Sequence, residues 1–380
     1  MQRSGYSLND TMLGGSVKSD DSIAFLANTE RPDVYWRGES KTVYDGKGWS
    51  NLANDLYGYE VGSVLPDVLS DLTDSSMPNN SKIIQEIFPQ PDYPHDDRTT
   101  ILLSSGAIRR VDRVVAKNGA TITVGPITID RIEGKFTLQG SGSSSLTSYI
   151  VQSSVPITSE SAQMMLPSLI GGQPVPTTIS APNLQLPEQL PERITHLARS
   201  ITDEFDSAWE KANAIEQYLH NHYRYTLTPK TLARAGDFVD HFLFEQKEGY
   251  CDYFSTAMTV MLRSIGIPAR WVKGYTPGEI IDAEENGFLL ESSERLRLSQ
   301  VITYPVMIRN RNAHSWVEVY ISGIGWTSFD PTPRSIAAIT QGSLVGVTTS
   351  SDKDVDTHPL HEIMSSVMAG LSDKRIQYAL

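Results

Sequence analysis

A single cysteine, Cys251, stands in 380 residues, so no intrachain disulfide can staple this fold. Cationic side chains are also in short supply: 32 Lys and Arg face 45 Asp and Glu, for a formal charge of −13. That balance argues against a duplex nucleic-acid surface, which needs a basic stripe, and against a polybasic membrane patch. No apolar run approaches the roughly 18 uninterrupted residues of a membrane span. The opening Met1-Gln2-Arg3-Ser4-Gly5-Tyr6-Ser7 lacks the apolar centre of a secretion signal. If the chain is complete as given, these absences place it in the cytoplasm; an excised domain behind an added methionine would read the same way. What is present, 39% apolar and 20% charged residues, suits a globular protein with a sizeable core and room for two domains.

The front of the chain has the period of β-structure. Residues 21–28, 121–130 and 146–155 are short β-prone runs, and Asp45-Gly46-Lys47-Gly48 is a turn signal between such runs. The expectation for 1–165 is a β-rich sandwich or small barrel. From 166 to 191 prolines accumulate (Pro167, Pro174, Pro176, Pro182, Pro187, Pro191) beside Gly171-Gly172. Proline fixes φ and removes a donor, so this stretch predicts an extended linker.

Beyond the linker the period changes to that of a helix. Ile194, Leu197, Ala198 and Ile201 fall on one face, and Ala212, Ile215, Leu219 and Tyr223 on another. Residues 251–265 predict a third helix, with Ala257, Val260, Met261 and Ile265 as its buried stripe and Gly266 as its end. Strands are expected over 269–275, 301–309, 314–321 and 326–329. Helices followed by an antiparallel run make 192–340 an α+β unit. The last stretch, 341–380, is Ser/Thr/Asp-rich and then weakly amphipathic, and predicts a linker with a short helix.

Three positions carry the chemistry. Cys251 opens its helix, where aligned peptide dipoles favour an anion and bias a thiol toward its thiolate. The N–H groups of that first turn, Cys251 foremost, could bind an oxyanion. His314 begins an alternating strand, and Asp330 ends another before Pro331. A lone thiol followed by a histidine and an aspartate is the sequence pattern of a nucleophilic triad. A buried structural cysteine, a polar strand residue and an ordinary Asp-Pro turn are the competing readings of the same three residues taken singly.

Four segments together are more specific: Gly249-Tyr250-Cys251-Asp252-Tyr253-Phe254, Ile267 to Tyr275, Ala313 to Tyr320, and Gly325-Trp326-Thr327-Ser328-Phe329-Asp330-Pro331-Thr332. In order and context they resemble the bacterial transglutaminase-like core, a papain-related fold with helices packed on an antiparallel sheet. The resemblance implies Cys251 as nucleophile, His314 as base and acid, and Asp330 as the group that orients the imidazole. It spans about Leu190 to Arg334. Upstream, Val34 to Ser50, with Val34-Tyr35-Trp36-Arg37-Gly38-Glu39-Ser40, is similar to the extracytoplasmic region of TgpA-type membrane proteins. That implies a parent protein embedded in a bacterial membrane, with this span on its extracytoplasmic face. On the residues themselves Trp36 and Trp49 read as core aromatics and Asp45-Gly46 as a hairpin turn. The family also supplies an oxyanion side chain upstream of the cysteine, for which Tyr225 and Gln246 are the candidates here.

The other polar candidates carry less. His220 and His222 sit at i and i+2, point to different sides of a helix, and predict no zinc site. Asp282, Glu284 and Glu285 form an acidic loop without the alternating ligands of a calcium site. The sequence thus calls for no cofactor and no metal, and for a protein or peptide as substrate. The expected reaction is acyl transfer from a protein or peptide amide through a thioacyl intermediate, as in a protein-glutamine gamma-glutamyltransferase. A cysteine peptidase or amidase of the same fold, and a non-catalytic surface scaffold, are the alternatives.

Overall fold

The structure is a computed structural model that describes residues 2–51, 55–63, 65, 82–96, 98–122, 127–139, 146–155, 157–165, 174–230, 236–282 and 303–333. The expected tail helix, Glu284 and Glu285 lie outside them. Eight elements position the site: strands β1 (Trp36–Lys41) and β2 (Ile157–Thr158), helices α1 (Glu192–Thr202), α2 (Ala208–His222) and α3 (Cys251–Ser264), and strands β3 (Ala269–Tyr275), β4 (Ala313–Ile321) and β5 (Gly325–Phe329). The fold is α+β, with a β-rich front, as the sequence predicts.

The helix boundaries follow local chemistry. Ser207 caps α2 in a capping box, its hydroxyl accepting from Glu210 N–H while the Glu210 carboxylate accepts from Ser207 N–H. After α3, Gly266 takes φ +84°, a conformation open to glycine, and the chain turns into β3. Helix α3 is buried all round from Tyr253 to Arg263, which is the signature of a central helix rather than a surface one. Ala257, Met258, Val260 and Met261 pack with Ile194 and Ala198 of α1 and Ile215 and Leu219 of α2 on one side of the sheet, in a core that includes Val317 and Val319. Each large apolar side chain sealed here contributes about 2 kcal/mol of transfer free energy.

The site sheet has five strands in the order β2-β5-β4-β3-β1. β3, β4 and β5 are successive antiparallel neighbours, with Gly274 opposite His314 and Val317 opposite Phe329. β1 comes from the front of the chain and pairs antiparallel with β3, Val272 opposite Ser40. Gly274 is required at that junction: a Cβ there would stand 1.8 Å from the Trp36 carbonyl oxygen. A six-stranded sheet likewise joins Ile23–Thr29 and Lys82–Pro89 to Tyr304–Arg309 and Glu279–Ile280. Both sheets therefore draw strands from either side of 166–191. Within that stretch the expected extended chain is a helix over Thr177–Asn183. Pro176 enters it at φ −56°, Pro182 falls in its last turn where it forfeits one backbone bond, and Asn183 Nδ2 closes on Ile179 O at 2.8 Å.

Buried charge ties the pieces together. Glu318 on β4 accepts from Arg37 Nε of β1 at 3.2 Å and from Arg270 Nε of β3 at 2.6 Å, and the Arg270 guanidinium lies 3.9 Å over the Trp326 ring of β5. Trp49 stacks on Trp271 with ring centroids 5.9 Å apart and donates its indole N–H to Thr256 Oγ1 of α3 at 2.9 Å. Arg263, 3% exposed, donates to the carbonyls of Ala269 (2.7 Å), Thr42 (2.7 Å) and Gln185 (2.9 Å). Its burial pulls the guanidinium down to about 9. Arg263→Met should leave those buried carbonyls without a donor and lower unfolding free energy by about 3 kcal/mol, measured by urea denaturation.

Candidate active site

Sheet register and helix placement bring Cys251, His314 and Asp330 to one end of the sheet. β4 runs past the end of β5, so His314 overhangs and Asp330, one residue beyond Phe329, meets it. His314 Nε2 lies 2.8 Å from Asp330 Oδ2. An ionised carboxylate only accepts, so Nε2 carries the proton, and the other ring nitrogen is left for the Cys251 thiol, with which His314 also interacts. Burial acts to lower the imidazole, but the Asp330 charge, its hydrogen bond and the sulfur outweigh it and raise His314 well above the usual histidine range. Burial acts the other way on Asp330, yet the His314 charge and hydrogen bonds from His314 and Tyr35 hold its carboxyl down at about 2. Each group of the pair thus favours the charged form of the other.

Cys251 is half-buried at the first position of α3, and Tyr250 before it supplies no side-chain cap to the helix. The first-turn N–H groups and the positive end of the helix thus face the sulfur's surroundings. A polar network fastens this turn to the sheet. Ser255 Oγ donates to Cys251 O at 2.7 Å, lies 2.9 Å from Ser315 Oγ, and accepts from Trp271 Nε1 at 2.8 Å. Ser315 Oγ also donates to Asp252 Oδ1 at 2.8 Å, and that oxygen is 3.8 Å from Cys251 Sγ. Burial raises the Asp252 carboxyl. Two residues before the cysteine, a Cβ on Gly249 would lie 2.4 Å from the Tyr253 ring, so the glycine there makes room for a side chain of α3.

The cleft above the sulfur has a volume of about 140 Å³ and is lined by Cys251, His314, Asp10, Tyr225, Tyr250 and Lys273. Its far wall is the segment from Ser4 to Ser19. Lys273, buried on β3, anchors that wall by donating to both carboxylate oxygens of Asp10 (2.6 and 2.7 Å) and to Ser7 O. Of the two oxyanion candidates, Tyr225 lies on the cleft. Burial first, then the charges of Cys251, Asp252 and Asp330, push its phenol upward, so it stays a neutral donor. Gln246 turns away and donates to Glu248 O at 2.7 Å.

Sequence reasoning did not assign Tyr35, Glu216 or His220 to this site. Tyr35 OH donates to Asp330 Oδ2 at 2.8 Å, and its ring meets His314 and Trp316 edge-on at 5.6 and 5.3 Å. Trp316, 2% exposed, stacks on His314 at 6.4 Å and covers it from the core side. Glu216 Oε1 accepts from Asp330 N–H at 2.8 Å, and His220 Nε2 donates to Asp330 O at 2.9 Å. The available signal was a glutamate beside the apolar stripe of α2, between Ile215 and Leu219, where a solvated carboxylate does not belong. His222 instead meets Tyr218 O, at 2.8 Å.

Residues 195–331 match the model of the Transglutaminase-like superfamily, so the chain carries a transglutaminase-like domain. The uncharacterized protein YebA of Bacillus subtilis (strain 168) is 33% identical over 344 residues, 86% of this chain and 41% of that protein. A Protein-glutamine gamma-glutamyltransferase of Pseudomonas aeruginosa is 32% identical over 202 residues, 52% of this chain and 26% of the enzyme. The chain thus spans less than half the length of these curated relatives. The crystal structure of the periplasmic domain of TgpA from Pseudomonas aeruginosa shares the fold, with a TM-score of 0.55 and 22% identity over 82% of this chain and 87% of that one. Among the described residues, no helix is long and apolar enough to cross a membrane.

Burial raises the Glu216 carboxyl from its ordinary 4.5 to about 8. The native state then holds a proton that the unfolded chain releases, so this residue's contribution to stability falls as pH rises from about 4.5 to about 8. Glu216→Gln abolishes that titration. Its stability relative to the parent, measured by urea denaturation at several pH values, should rise across the same window by a few kcal/mol.

Proposed function

We propose that this chain, bearing a transglutaminase-like domain, performs cysteine-dependent acyl transfer on glutamine side chains of proteins or peptides. One observation carries the reading: the His314 ring is held between the Cys251 thiol and the Asp330 carboxylate, with Nε2 fixed on Asp330. The similarity to a glutamyltransferase supports the substrate class. The fold shared with a periplasmic domain supports an extracytoplasmic location, and the resemblance of Val34 to Ser50 is the ground for reading the parent protein as membrane-embedded.

The chemistry follows from these groups. The Cys251 thiolate attacks the carboxamide carbon. Negative charge gathers on the carbonyl oxygen, where the Cys251 N–H and the Tyr225 hydroxyl are the donors at hand. The tetrahedral adduct collapses as the imidazolium of His314 passes its proton to the leaving nitrogen, releasing ammonia and leaving a thioester on Cys251. His314, now neutral, takes a proton from the incoming amine or water, which attacks the thioester and restores the thiolate. Asp330 keeps one face of the ring committed throughout, so the other nitrogen always meets the sulfur. An amine acceptor yields an isopeptide crosslink and water yields glutamate. Where the donor is a backbone amide, the same steps amount to proteolysis.

The test is mass spectrometry of a glutamine-containing peptide library, incubated with and without a primary amine. The expected product is amine incorporation, present with the parent protein and lost in Cys251→Ala. A gain of one mass unit without amine uptake would instead identify a deamidase, and cleaved backbones a peptidase. A second, substrate-free check is alkylation of Cys251 by iodoacetamide at pH 6. It should exceed the rate of a free model thiol and fall by tenfold or more in His314→Ala. Unchanged alkylation in that variant, with no Cys251-dependent product from the library, would favour a scaffold module.

A further inference from the structure

Asp330 is gripped by its backbone as well as by its carboxylate. It lies one residue past the end of β5, where sheet pairing no longer holds the chain, and Pro331 follows. Its carboxylate oxygens are engaged by His314 and Tyr35 on one and by Thr332 N–H, at 3.1 Å, on the other. Those bonds come from a ring that Asp330 must itself orient, a phenol and a neighbouring turn. The fixed reference is elsewhere. Glu216 and His220 stand one turn apart on one face of α2, at i and i+4. Glu216 takes the Asp330 N–H at 2.8 Å and His220 gives its Nε2–H to the Asp330 carbonyl at 2.9 Å.

We propose that Glu216 and His220 are positioning residues for the acyl transfer, forming a two-point clamp by which helix α2 sets the direction of the Asp330 carboxylate and, through it, the His314 ring. The proposal rests on the triad reading above. A helix is a stiff mount, and two bonds on opposite sides of one Cα fix both translation and rotation of that residue. Either bond alone would leave a hinge. The chemistry of the pair suits the task. Glu216 is buried, faces Asp330 and the more distant Glu160 of the Ser159–Met165 helix, and accepts without adding a second negative charge while it keeps its proton. His220 must be protonated on Nε2, since a carbonyl only accepts. A core-filling role would have been met by an apolar residue at either position, as at Ala212, Ile215 and Leu219. Polar groups reaching the two backbone atoms of Asp330 serve that residue.

The experiment is the pH dependence of Cys251 alkylation by iodoacetamide, which needs no knowledge of the substrate, with thermal melting to confirm the fold. Glu216→Ala and His220→Ala should each slow alkylation at pH 6 about tenfold and change its pH profile in the direction that His314→Ala changes it. Glu216→Gln and His220→Gln keep an acceptor and a donor at the same reach and should restore most of the lost rate. Native melting with parental pH profiles in both alanine variants, while His314→Ala shifts its own, would overturn the clamp and leave the triad standing. A parental profile in His314→Ala would remove the triad reading and the clamp with it. Where an alanine variant does not melt cooperatively, His220→Asn, too short to reach the carbonyl, is compared with His220→Gln. Equal profiles for those two would overturn the proposal, and a slower His220→Asn would support it.

Discussion

The ion pair between His314 and Asp330 is the constraint around which the rest of this structure is arranged. Both groups are largely withdrawn from water, and a charge so withdrawn is costly unless paired and hydrogen-bonded. Pairing alone does not place it. The imidazole is held edge-on by Tyr35, backed by Trp316, and committed through Nε2, while Asp330 is held at its carboxylate and at both backbone groups. Four segments far apart in the chain, at 35, 216–220, 314–316 and 330, converge to keep one ring from turning.

That convergence explains why the front of the chain is woven into the back. Strand β1 closes the edge of the site sheet, Arg37 reaches Glu318 beneath it, and Tyr35 stands just ahead of β1 where its hydroxyl meets Asp330. The segment from Ser4 to Ser19 walls the cleft and is anchored by the buried pair of Lys273 and Asp10. A buried pair of this kind adds little net stability against an apolar substitute, but it specifies one arrangement over others. Here the arrangement it specifies is the shape of the space above the thiol.

Much of this was legible from composition and period. The three helices after residue 191 announced themselves through apolar spacing, and Gly266 marked the end of the third, because helix ends obey local rules within a few residues. Strands expected at 269–275, 314–321 and 326–329 followed from alternation and turn residues, and the observed ones begin within one residue of them. Residues 177–183 read as linker because seven residues flanked by prolines show no period; backbone bonds from Ile179 and Ser180 to the Pro176 carbonyl and the closing bond from Asn183 make them a helix. Glu216, His220 and Tyr35 were passed over for a different reason. Each belongs to a segment whose local pattern is complete without it, and each finds its partner 110 or more residues away.

By itself, then, the sequence determined the three longer helices from 192 onward and the three strands of the site sheet that follow them, the nucleophile candidate at a helix start, and the histidine and aspartate at strand ends, since these depend on neighbours a few residues apart. Only the tertiary structure decided which nitrogen of His314 faces the sulfur, that Tyr225 rather than Gln246 lines the cleft, and that α2 holds Asp330. Those outcomes depend on sheet register and on which faces are buried against each other. Register and burial are settled by long-range packing, and a pattern read along one chain carries period without position.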